Sequence, residues 1–215
     1  MGAIFLGGSR APTCSGSVLH SAAGDLILTA AHCLLDGVDA TFAPGFTGDA
    51  GLGDAWSLEA IYLDARWVNT QDPRADYAIA RVERATTESI ESQVGGGLLL
   101  SPQSTGGGVV AVTGYRLGAD GDPIHCQAGT GTVPGGFLSL PCDGLVAGTS
   151  GAPWISGSST VVGLTGGFQS GGCTDDVSYS PPFDEQIMHL LARAEAGGPP
   201  DTAPTAFAAD CPETP

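Results

Sequence analysis

The chain has 215 residues, of which 23 are acidic and seven are basic, and its formal net charge is −16. Nucleic acids and anionic membranes are therefore poor partners, because both would repel such a protein. A hydrophobic fraction of 42% excludes general disorder, and 34 glycines with 15 prolines indicate many turns between short strands. No apolar run reaches the ~20 residues that a membrane-spanning helix needs.

Short apolar runs separated by turn residues predict a β-rich first half. Residues 14–20 and 26–29 are expected to form a hairpin with a turn between them. Residues 41–55 are rich in glycine, aspartate and alanine, which indicates a loop, and the polar segment 69–75 is a second loop. The predicted strands of this half are residues 3–6, 14–20, 26–29, 56–68 and 77–82.

The second half repeats this pattern after a connection over residues 85–108. Its two triple-glycine runs are typical of a flexible linker, but Leu98, Leu99 and Leu100 indicate that part of it is buried. The further predicted strands are residues 109–115, two strands within 126–142 on either side of a turn at 134–136, the hairpin strands 154–155 and 161–164, and a last strand through Tyr179.

One segment, residues 184–193, has the pattern of an α-helix. Asp184 can cap its N-terminus, and apolar residues recur at helical spacing on one face. The Gly-Gly-Pro-Pro run at 197–200 ends the helix. The remaining tail to residue 215 is rich in proline and alanine but contains Cys211.

The segment 148–154, Gly-Thr-Ser-Gly-Ala-Pro-Trp, is the clearest candidate for chemistry. Its glycines allow a sharp turn and the close approach of a substrate carbonyl. The backbone N–H groups of Gly148 and Ser150 would then point into one small space, where they can stabilise the oxyanion formed when the Ser150 hydroxyl attacks a carbonyl. The alternative is an ordinary surface turn, because glycine and serine are common turn residues.

A serine nucleophile needs a neighbouring base, and His32 has the most unusual setting of the four histidines. It follows an apolar run that ends in Thr-Ala-Ala and precedes Cys33. Asp76, just before the strand 77–82, can hold the imidazole in the required tautomer and balance its charge. The alternatives are a structural histidine at position 32 and a strand-edge carboxylate at position 76.

These three motifs, in the order His, Asp, Ser, resemble those of the chymotrypsin-fold serine proteases. The resemblance covers residues 3–196 and implies Ser150 as nucleophile, His32 as general base and then acid, and Asp76 as the residue that orients His32. It is closer to the bacterial, glutamyl-endopeptidase-like branch than to animal trypsins. The runs that point to this branch are Pro-Cys-Asp at 141–143, Ala-Pro-Trp at 152–154 and Gly-Leu-Thr-Gly-Gly at 163–167.

The resemblance implies an all-β fold of two six-stranded antiparallel β-barrels with a C-terminal α-helix that packs on the second barrel. The site then lies between the barrels, with an oxyanion hole formed by the N–H groups of Gly148 and Ser150. The expected divisions are a first barrel over residues 1–84, a connection over 85–108, a second barrel with the helix over 109–196, and a Pro-rich tail over 197–215.

Six cysteines, none in a Cys-x-x-Cys pair, indicate disulfides and an oxidising compartment rather than a zinc site. The resemblance implies that one disulfide pins the loop carrying His32, which would stabilise the fold by ~3 kcal/mol. The assigned pairs are Cys14–Cys33, which the resemblance implies, Cys126–Cys142, and, by exclusion, Cys173–Cys211, which tethers the tail near the substrate cleft. An alternative pairing of Cys142 with Cys173 and of Cys126 with Cys211 stays open.

The preference for the residue before the cut depends on a substrate pocket that the resemblance places between two segments of the cleft. Its expected lining is Gly144, Leu145, Val146, Ala147, Thr165, Gly166 and Gly167. An apolar or small side chain before the cut is the first expectation, because the position six residues before the serine holds glycine instead of aspartate. A basic side chain attracted by Asp143, Asp175 or Asp176 is the second, and glutamate is disfavoured because no basic group is evident there.

Thr149 stands where trypsin-like zymogens have an aspartate that receives the freed N-terminus. The chain also lacks an Ile-Val-Gly-Gly start. Since a threonine cannot form that ion pair, we expect no N-terminal activation switch.

We therefore predict a secreted, monomeric serine endopeptidase that acts on protein or peptide substrates and needs no cofactor or metal. Residues 1–6 are too short for a secretory leader, so we expect a leader that is not part of this sequence. The run Asp-Gly-Asp at 120–122 lacks the spacing of a calcium loop and is interpreted as a solvated turn. The alternative function is a non-catalytic protease homologue that serves as a protein-binding module, although such proteins usually lose a residue of the triad.

Overall fold

Short apolar runs between glycine- and proline-rich turns make the protein mostly β-sheet. The computed structural model describes residues 1–48, 53–102, 106–118, 121–208 and 211, so Asp120 and part of the loop predicted over 41–55 lie outside them. The strands are β1 (Gly2–Leu6), β2 (Cys14–Val18), β3 (Leu26–Thr29), β4 (Ala40–Pro44), β5 (Trp56–Leu63), β6 (Ala78–Glu83), β7 (Leu99–Leu100), β8 (Val109–Tyr115), β9 (Pro123–Gly129), β10 (Gly131–Thr132), β11 (Leu138–Pro141), β12 (Pro153–Ser156), β13 (Thr160–Leu164) and β14 (Val177–Ser180). The helices are α1 (Ala65–Thr70), α2 (Ile90–Val94) and α3 (Glu185–Glu195), with 3₁₀ turns at Ala31–Cys33, Pro73–Ala75 and Phe168–Gly171.

The first six strands close into an antiparallel barrel in the order β1-β2-β3-β6-β5-β4. Apolar side chains such as Ile4, Leu28, Phe42 and Ile79 are fully buried in its core. All six strands fall inside residues 1–84, the range expected for the first barrel. The barrel matters for function because it presents the ends of β3 and β6 side by side.

The second half consists of two sheets that share one core. The five-stranded sheet has the order β7-β13-β12-β8-β9, and the three-stranded sheet has the order β10-β11-β14. Side chains from both sheets, among them Val112, Leu140 and Trp154, pack together. The Leu164 N–H also donates to the Ser180 hydroxyl (3.0 Å), which joins β13 to β14 through a side chain.

The expected all-β, chymotrypsin-like fold is confirmed, with one difference in the second half. Among the described residues the predicted second six-stranded barrel is two sheets instead of one closed ladder. The strand β7, from the connection between the halves, joins the edge of β13 in parallel, against the expectation of purely antiparallel sheets. The half-buried Leu98 and Leu100 pack against the core, which explains why this segment is not a free linker.

Two element predictions in the first half were wrong. Residues 41–44 belong to strand β4, which pairs with β1 along its whole length and buries Phe42, although the surrounding sequence has the composition of a loop. The strand predicted over 56–68 stops at Leu63. Helix α1 follows, because the Asp64 side chain accepts a hydrogen bond from the Arg66 N–H and caps it.

Helix α3 begins after the predicted cap Asp184, whose side chain accepts a hydrogen bond from the Gln186 N–H. Its buried residues Ile187, Leu190 and Ala194 join the core of the first barrel. The Arg81 guanidinium on β6 donates to the Ala194 carbonyl (2.7 Å). The helix therefore packs on the first barrel, and the expectation that it would pack on the second was wrong.

A partly buried polar network joins the starts of α1 and α3 next to Asp76. The carboxylate of Asp64 accepts hydrogen bonds from Arg66 (2.7 Å) and from the Tyr77 hydroxyl (2.8 Å). Arg66 also donates to Asp184 (2.9 Å). Burial alone would raise the pKa of Asp64, but the hydrogen bonds from Arg66 and Tyr77 outweigh it and hold that pKa below its usual range. The network thus favours the ionised carboxylate in the folded state.

We expect Asp64→Asn to lower the free energy of unfolding by about 1–3 kcal/mol at pH 7, because it removes charge-assisted hydrogen bonds but keeps a capping side chain. A lowered folded-state pKa stabilises the fold above the unfolded-state pKa, and this stabilisation disappears as the pH falls through the folded-state value. The difference between wild type and variant should therefore vanish in strong acid. Urea unfolding at pH 7 and at pH values below 4 measures it.

The matched control is Asp54→Asn, which removes the carboxylate of a more exposed ion pair with Arg84. That change should alter stability by less than about 0.5 kcal/mol at either pH. An Asp64→Asn variant as stable as wild type at pH 7 would contradict the role given to this network.

Candidate active site

The structure pairs His32 with Asp76, as the sequence predicts. The His32 Nδ1 lies 2.7 Å from Asp76 Oδ2, and the His32 backbone N–H donates to Asp76 Oδ1 (2.9 Å). The Asp76 side chain is 1% exposed and that of His32 is 10% exposed. Because the partner of Nδ1 is a carboxylate, Nδ1 carries the proton and Nε2 is left as the acceptor.

Neighbouring strands bring these two residues together. His32 lies on the 3₁₀ turn that follows β3, and Asp76 ends the 3₁₀ turn before β6. The two strands pair antiparallel, with Thr29 opposite Ala78, so the end of one meets the start of the other. The residues that follow β3 and precede β6 therefore share one edge of the barrel, which explains a contact across 44 positions of sequence.

A backbone N–H from the second half of the chain also holds the Asp76 carboxylate. The Gly167 N–H donates to Asp76 Oδ2 (2.7 Å), so this oxygen accepts from both Gly167 and His32. A Cβ at Gly166 would lie 3.1 Å from the same oxygen. The glycines after β13 thus allow the second half of the chain to approach the carboxylate closely.

Ser150 lies in the turn between β11 and β12 and is held against the first barrel. The Ser15 N–H donates to the Ser150 carbonyl (2.7 Å), and the Ser15 hydroxyl donates to the Gly148 carbonyl (3.0 Å). Ser15 follows Cys14, which forms a disulfide with Cys33, the neighbour of His32. The buried Ser15 was not singled out from the sequence, because a serine in a short strand carries no distinctive signal.

Two positions in this turn require glycine. Gly148 has a φ of +93°, and a Cβ there would lie 2.1 Å from the Leu117 backbone nitrogen. Gly151 has a φ of +81°, and a Cβ there would lie 2.2 Å from the Ser15 carbonyl oxygen. Any side chain at either position would therefore displace backbone of a neighbouring segment.

The geometry leaves two amides available at the turn. The Ala147 carbonyl accepts a hydrogen bond from the Leu117 N–H (2.7 Å). Since C=O and N–H point in opposite directions across a trans peptide, the Gly148 N–H points away from Leu117. Neither this N–H nor that of Ser150 is hydrogen-bonded to another described residue. Within the described part of the chain, the two donors of the predicted oxyanion hole are therefore unoccupied.

One link of the predicted triad is not a formed hydrogen bond. The Ser150 hydroxyl makes no hydrogen bond to His32 or to any other residue in the described part of the chain. The turn nevertheless adjoins the segment leading to His32, because a Cβ at Gly151 would lie 2.9 Å from the Ala30 nitrogen. Such hydrogen bonds are often long without substrate and shorten in the reacting complex.

The predicted pocket residues divide into two groups. Thr165, Gly166 and Gly167 lie beside the nucleophile turn: the Gly151 N–H donates to the Thr165 carbonyl (2.7 Å). The Thr165 hydroxyl is buried and accepts from the Trp154 indole N–H (3.1 Å).

In the second group, Leu145 packs into the core of the second half, whereas Val146 is exposed. Gly144 donates its N–H to the Asp175 carbonyl (2.8 Å). Ala147 contacts Leu117 through its carbonyl. The structure thus places only part of this segment at the surface.

Sequence reasoning missed aromatic residues around the site. The Phe207 ring, from the C-terminal tail, stacks on the His32 imidazole, with centroids 5.0 Å apart and planes at 22°. Phe168 follows Gly167 directly and packs edge-on against Tyr179. Nothing in a tail rich in proline and alanine distinguishes Phe207 in the sequence.

Three disulfides join Cys14 to Cys33, Cys126 to Cys142 and Cys173 to Cys211, which are the assigned pairs. Among the described residues, Cys14, His32 and Cys33 form the cluster whose ligand atoms are close enough for a metal ion. Because both sulfurs belong to a disulfide, neither is a thiolate, and the cluster does not provide a metal site. Thr149, in place of an aspartate, satisfies its hydroxyl locally by donating to the Val146 carbonyl (2.7 Å).

His, Asp and Ser follow one another along two β-rich halves, and this order and placement define the class: the chain has the fold of the chymotrypsin-like serine proteases. Residues 14–164 match the trypsin-like peptidase domain, and the chain belongs to that family. The resemblance inferred from the three motifs is thereby confirmed. No curated protein is similar enough to count as a relative.

Solved proteases share the fold. The chain is 23% identical to the thermostable serine protease AL20 from an extremophilic microorganism, with a TM-score of 0.78 over 91% of this chain and 96% of that one. For the protease Anisep from Arthrobacter nicotinovorans the identity is 24% and the TM-score 0.75, covering 91% and 94%. For a Glu endopeptidase in complex with MPD these values are 16% and 0.70, covering 91% and 89%. At these identities the likeness shows the fold alone.

The helices of the described residues are too short or too polar to cross a membrane.

Proposed function

We propose that the protein is a secreted serine endopeptidase that cleaves peptide bonds through an acyl-enzyme on Ser150. One observation carries the proposal: a buried carboxylate holds the His32 imidazole at Nδ1, beside a turn whose Gly148 and Ser150 N–H groups have no hydrogen-bond partner among the described residues. The first feature supplies a base, and the second supplies donors for an oxyanion. Together they are the parts that nucleophilic attack on a carbonyl requires.

In this mechanism His32 Nε2 takes the proton of the Ser150 hydroxyl as its oxygen attacks the substrate carbonyl. The N–H groups of Gly148 and Ser150 bind the oxyanion of the tetrahedral intermediate. The imidazolium, stabilised by Asp76, then gives its proton to the leaving amine. A water molecule repeats the sequence on the acyl-enzyme and releases the acid.

We propose an apolar or small side chain before the cut, received between segments 144–147 and 165–167. Thr165 supports this preference, because its hydroxyl is already bonded to Trp154. Asp143, Asp175 and Asp176 are exposed, so water screens their attraction for a basic side chain. Glutamate remains disfavoured, because no arginine or histidine side chain of the described residues forms a hydrogen bond or an ion pair with these segments.

Three disulfides support an oxidising compartment and therefore secretion. Protein or peptide substrates follow from the family. We propose a monomer that binds neither nucleic acid nor membrane, in keeping with the net charge of −16.

A fluorophosphonate probe tests the proposal, because it reacts covalently with a serine only where base and oxyanion hole are assembled. We expect stoichiometric labelling of the folded protein, mapped by peptide mass spectrometry to Ser150, and none after unfolding in urea. Ser158→Ala, in the exposed turn after β12, is the matched control and should label fully. A folded protein that resists the probe would instead favour the non-catalytic binding module.

A further inference from the structure

The C-terminal tail returns to the first barrel and is fixed there at several points. The Asp201 N–H donates to the Ile61 carbonyl (2.8 Å), and the Asp36 N–H donates to the Pro204 carbonyl (3.1 Å). The Gln71 side-chain amide donates to the Ala206 carbonyl (2.8 Å). Beyond these contacts, a disulfide to Cys173 holds the tail covalently. So many anchors make this segment a fixed part of the fold.

The anchored tail delivers Phe207 to the catalytic imidazole. The ring of Phe207 lies nearly parallel to that of His32, with centroids 5.0 Å apart, and it also packs on Trp67 of α1 at 5.5 Å. Trp67 is 1% exposed and sits in a small apolar cluster with Ala203 of the same tail. The position of Phe207 is therefore set from both sides, by the barrel and by the tail.

The same segment forms one wall of a cavity that reaches the catalytic carboxylate. This cavity of about 210 Å³ adjoins Asp76 and Gly167 and is bordered by Phe207. Ser170 also lines it, and its buried hydroxyl has no hydrogen-bond partner among the described residues. The tail thus borders the space beside the triad, and does more than cover the outer surface of the barrel.

Building on the proposed protease function, we propose that Phe207 is a positioning residue for His32. The hydrogen bond to Asp76 holds the Nδ1 edge of the imidazole but does not by itself prevent the ring plane from tilting. The stacked Phe207 ring restricts this tilt, and with it the position that Nε2 takes when it accepts the Ser150 proton. When His32 takes the proton from Ser150, the imidazolium also lies over the face of an aromatic ring, which attracts a cation more than a neutral group. The effect therefore grows on the way to the transition state.

Two other roles for the contact predict different kinetics. A displaceable cover would inhibit the enzyme, but the anchors at Asp201, Pro204, Ala206 and Cys211 oppose displacement. A simple wall of the substrate groove would change substrate binding and leave the chemical step alone. A positioning residue changes kcat.

The test compares Phe207→Ala, Phe207→Leu and Phe207→Tyr in the full-length protein, with kcat and KM measured on one peptide substrate. We expect Phe207→Ala to lower kcat about tenfold with KM changed less than twofold, because contacts of this kind have that size. Leucine keeps apolar bulk but lacks the aromatic face, so it should restore part of the loss, and tyrosine should restore nearly all. Thr205→Ala, an exposed tail position, is the matched control and should behave as wild type.

Thermal unfolding of each variant separates loss of fold from loss of rate, and the leucine and tyrosine variants keep the test decisive if alanine destabilises the tail. A wild-type kcat in Phe207→Ala, a rise in KM alone, or a gain in activity would each overturn the positioning role. If wild-type enzyme hydrolyses nothing, the proposed function itself fails. If wild type and all Phe207 variants are equally active, only the positioning role of Phe207 is wrong, and the proposed function stands.

Discussion

Ser150→Ala is expected to lower kcat for peptide hydrolysis by about 10⁶-fold, the loss typical of removing the nucleophile of a serine protease. The remaining rate over water would come from the two amides at Gly148 and Ser150 and from substrate binding. The fold should be unaffected, because the Ser150 hydroxyl makes no hydrogen bond to another described residue. Hydrolysis of a fluorescently quenched, unfolded protein substrate measures the loss.

The matched control for this variant is Ser158→Ala, which makes the same chemical change at an exposed turn and should retain full activity. Both variants should unfold within about 2 °C of wild type, since neither removes a buried contact. A Ser150→Ala protein that keeps its rate would show that another group performs the attack, and the assignment of the triad would be wrong.

Asp76→Asn is expected to lower kcat by about 10⁴-fold with the protein still folded. The carboxylate accepts hydrogen bonds from the His32 ring, the His32 N–H and the Gly167 N–H. An amide offers one acceptor oxygen in place of two, so its NH₂ must face either the His32 backbone N–H or the two donors at Oδ2, which are the His32 ring and the Gly167 N–H. The most adaptable partner is the imidazole, which can move its proton to Nε2 and accept at Nδ1. In that tautomer Nε2 can no longer take the serine proton.

Asp72→Asn provides the same chemical change four residues away. Asp72 caps the 3₁₀ turn Pro73–Ala75 by accepting from the Arg74 N–H, a role that asparagine fills equally well. This control should keep wild-type kcat, KM and thermal stability. If Asp76→Asn lost less than tenfold in kcat, the buried carboxylate would be structural, and His32 would be oriented by something else.

The sequence was most informative where chemistry demands particular residues. The motifs around His32, Asp76 and Ser150 stand in a recognisable order. The strands next to them were predicted from their apolar runs, and the structure has strands there. Strand β4 escaped prediction because its single large apolar residue, Phe42, stands in a segment otherwise composed like a loop. Helix α1 escaped because its cap, Asp64, directly follows a strand and looks like part of it.

The arrangement of the second half and of the tail could not be read from local patterns. Strand β7 pairs with β13, which lies about sixty residues further along the chain. A strand of two residues is too short to predict such a pairing from its sequence. The tail has no periodicity at all, and its path is fixed by partners such as Ile61, Asp36 and Gln71 that lie far away in sequence. The predicted disulfide between Cys173 and Cys211 located the end of the tail correctly. It gave no indication that the Phe207 ring stacks on His32.

The hydrogen bonds of Ser15 make the nucleophile turn depend on the first barrel. This one residue of the first barrel holds both Gly148 and Ser150, so the shape of the turn is supplied by the opposite half of the protein. A nascent chain whose halves have not yet docked would lack a competent oxyanion pocket. Under the proposed function, catalytic activity would then depend on the docking of the two halves as well as on the three triad residues.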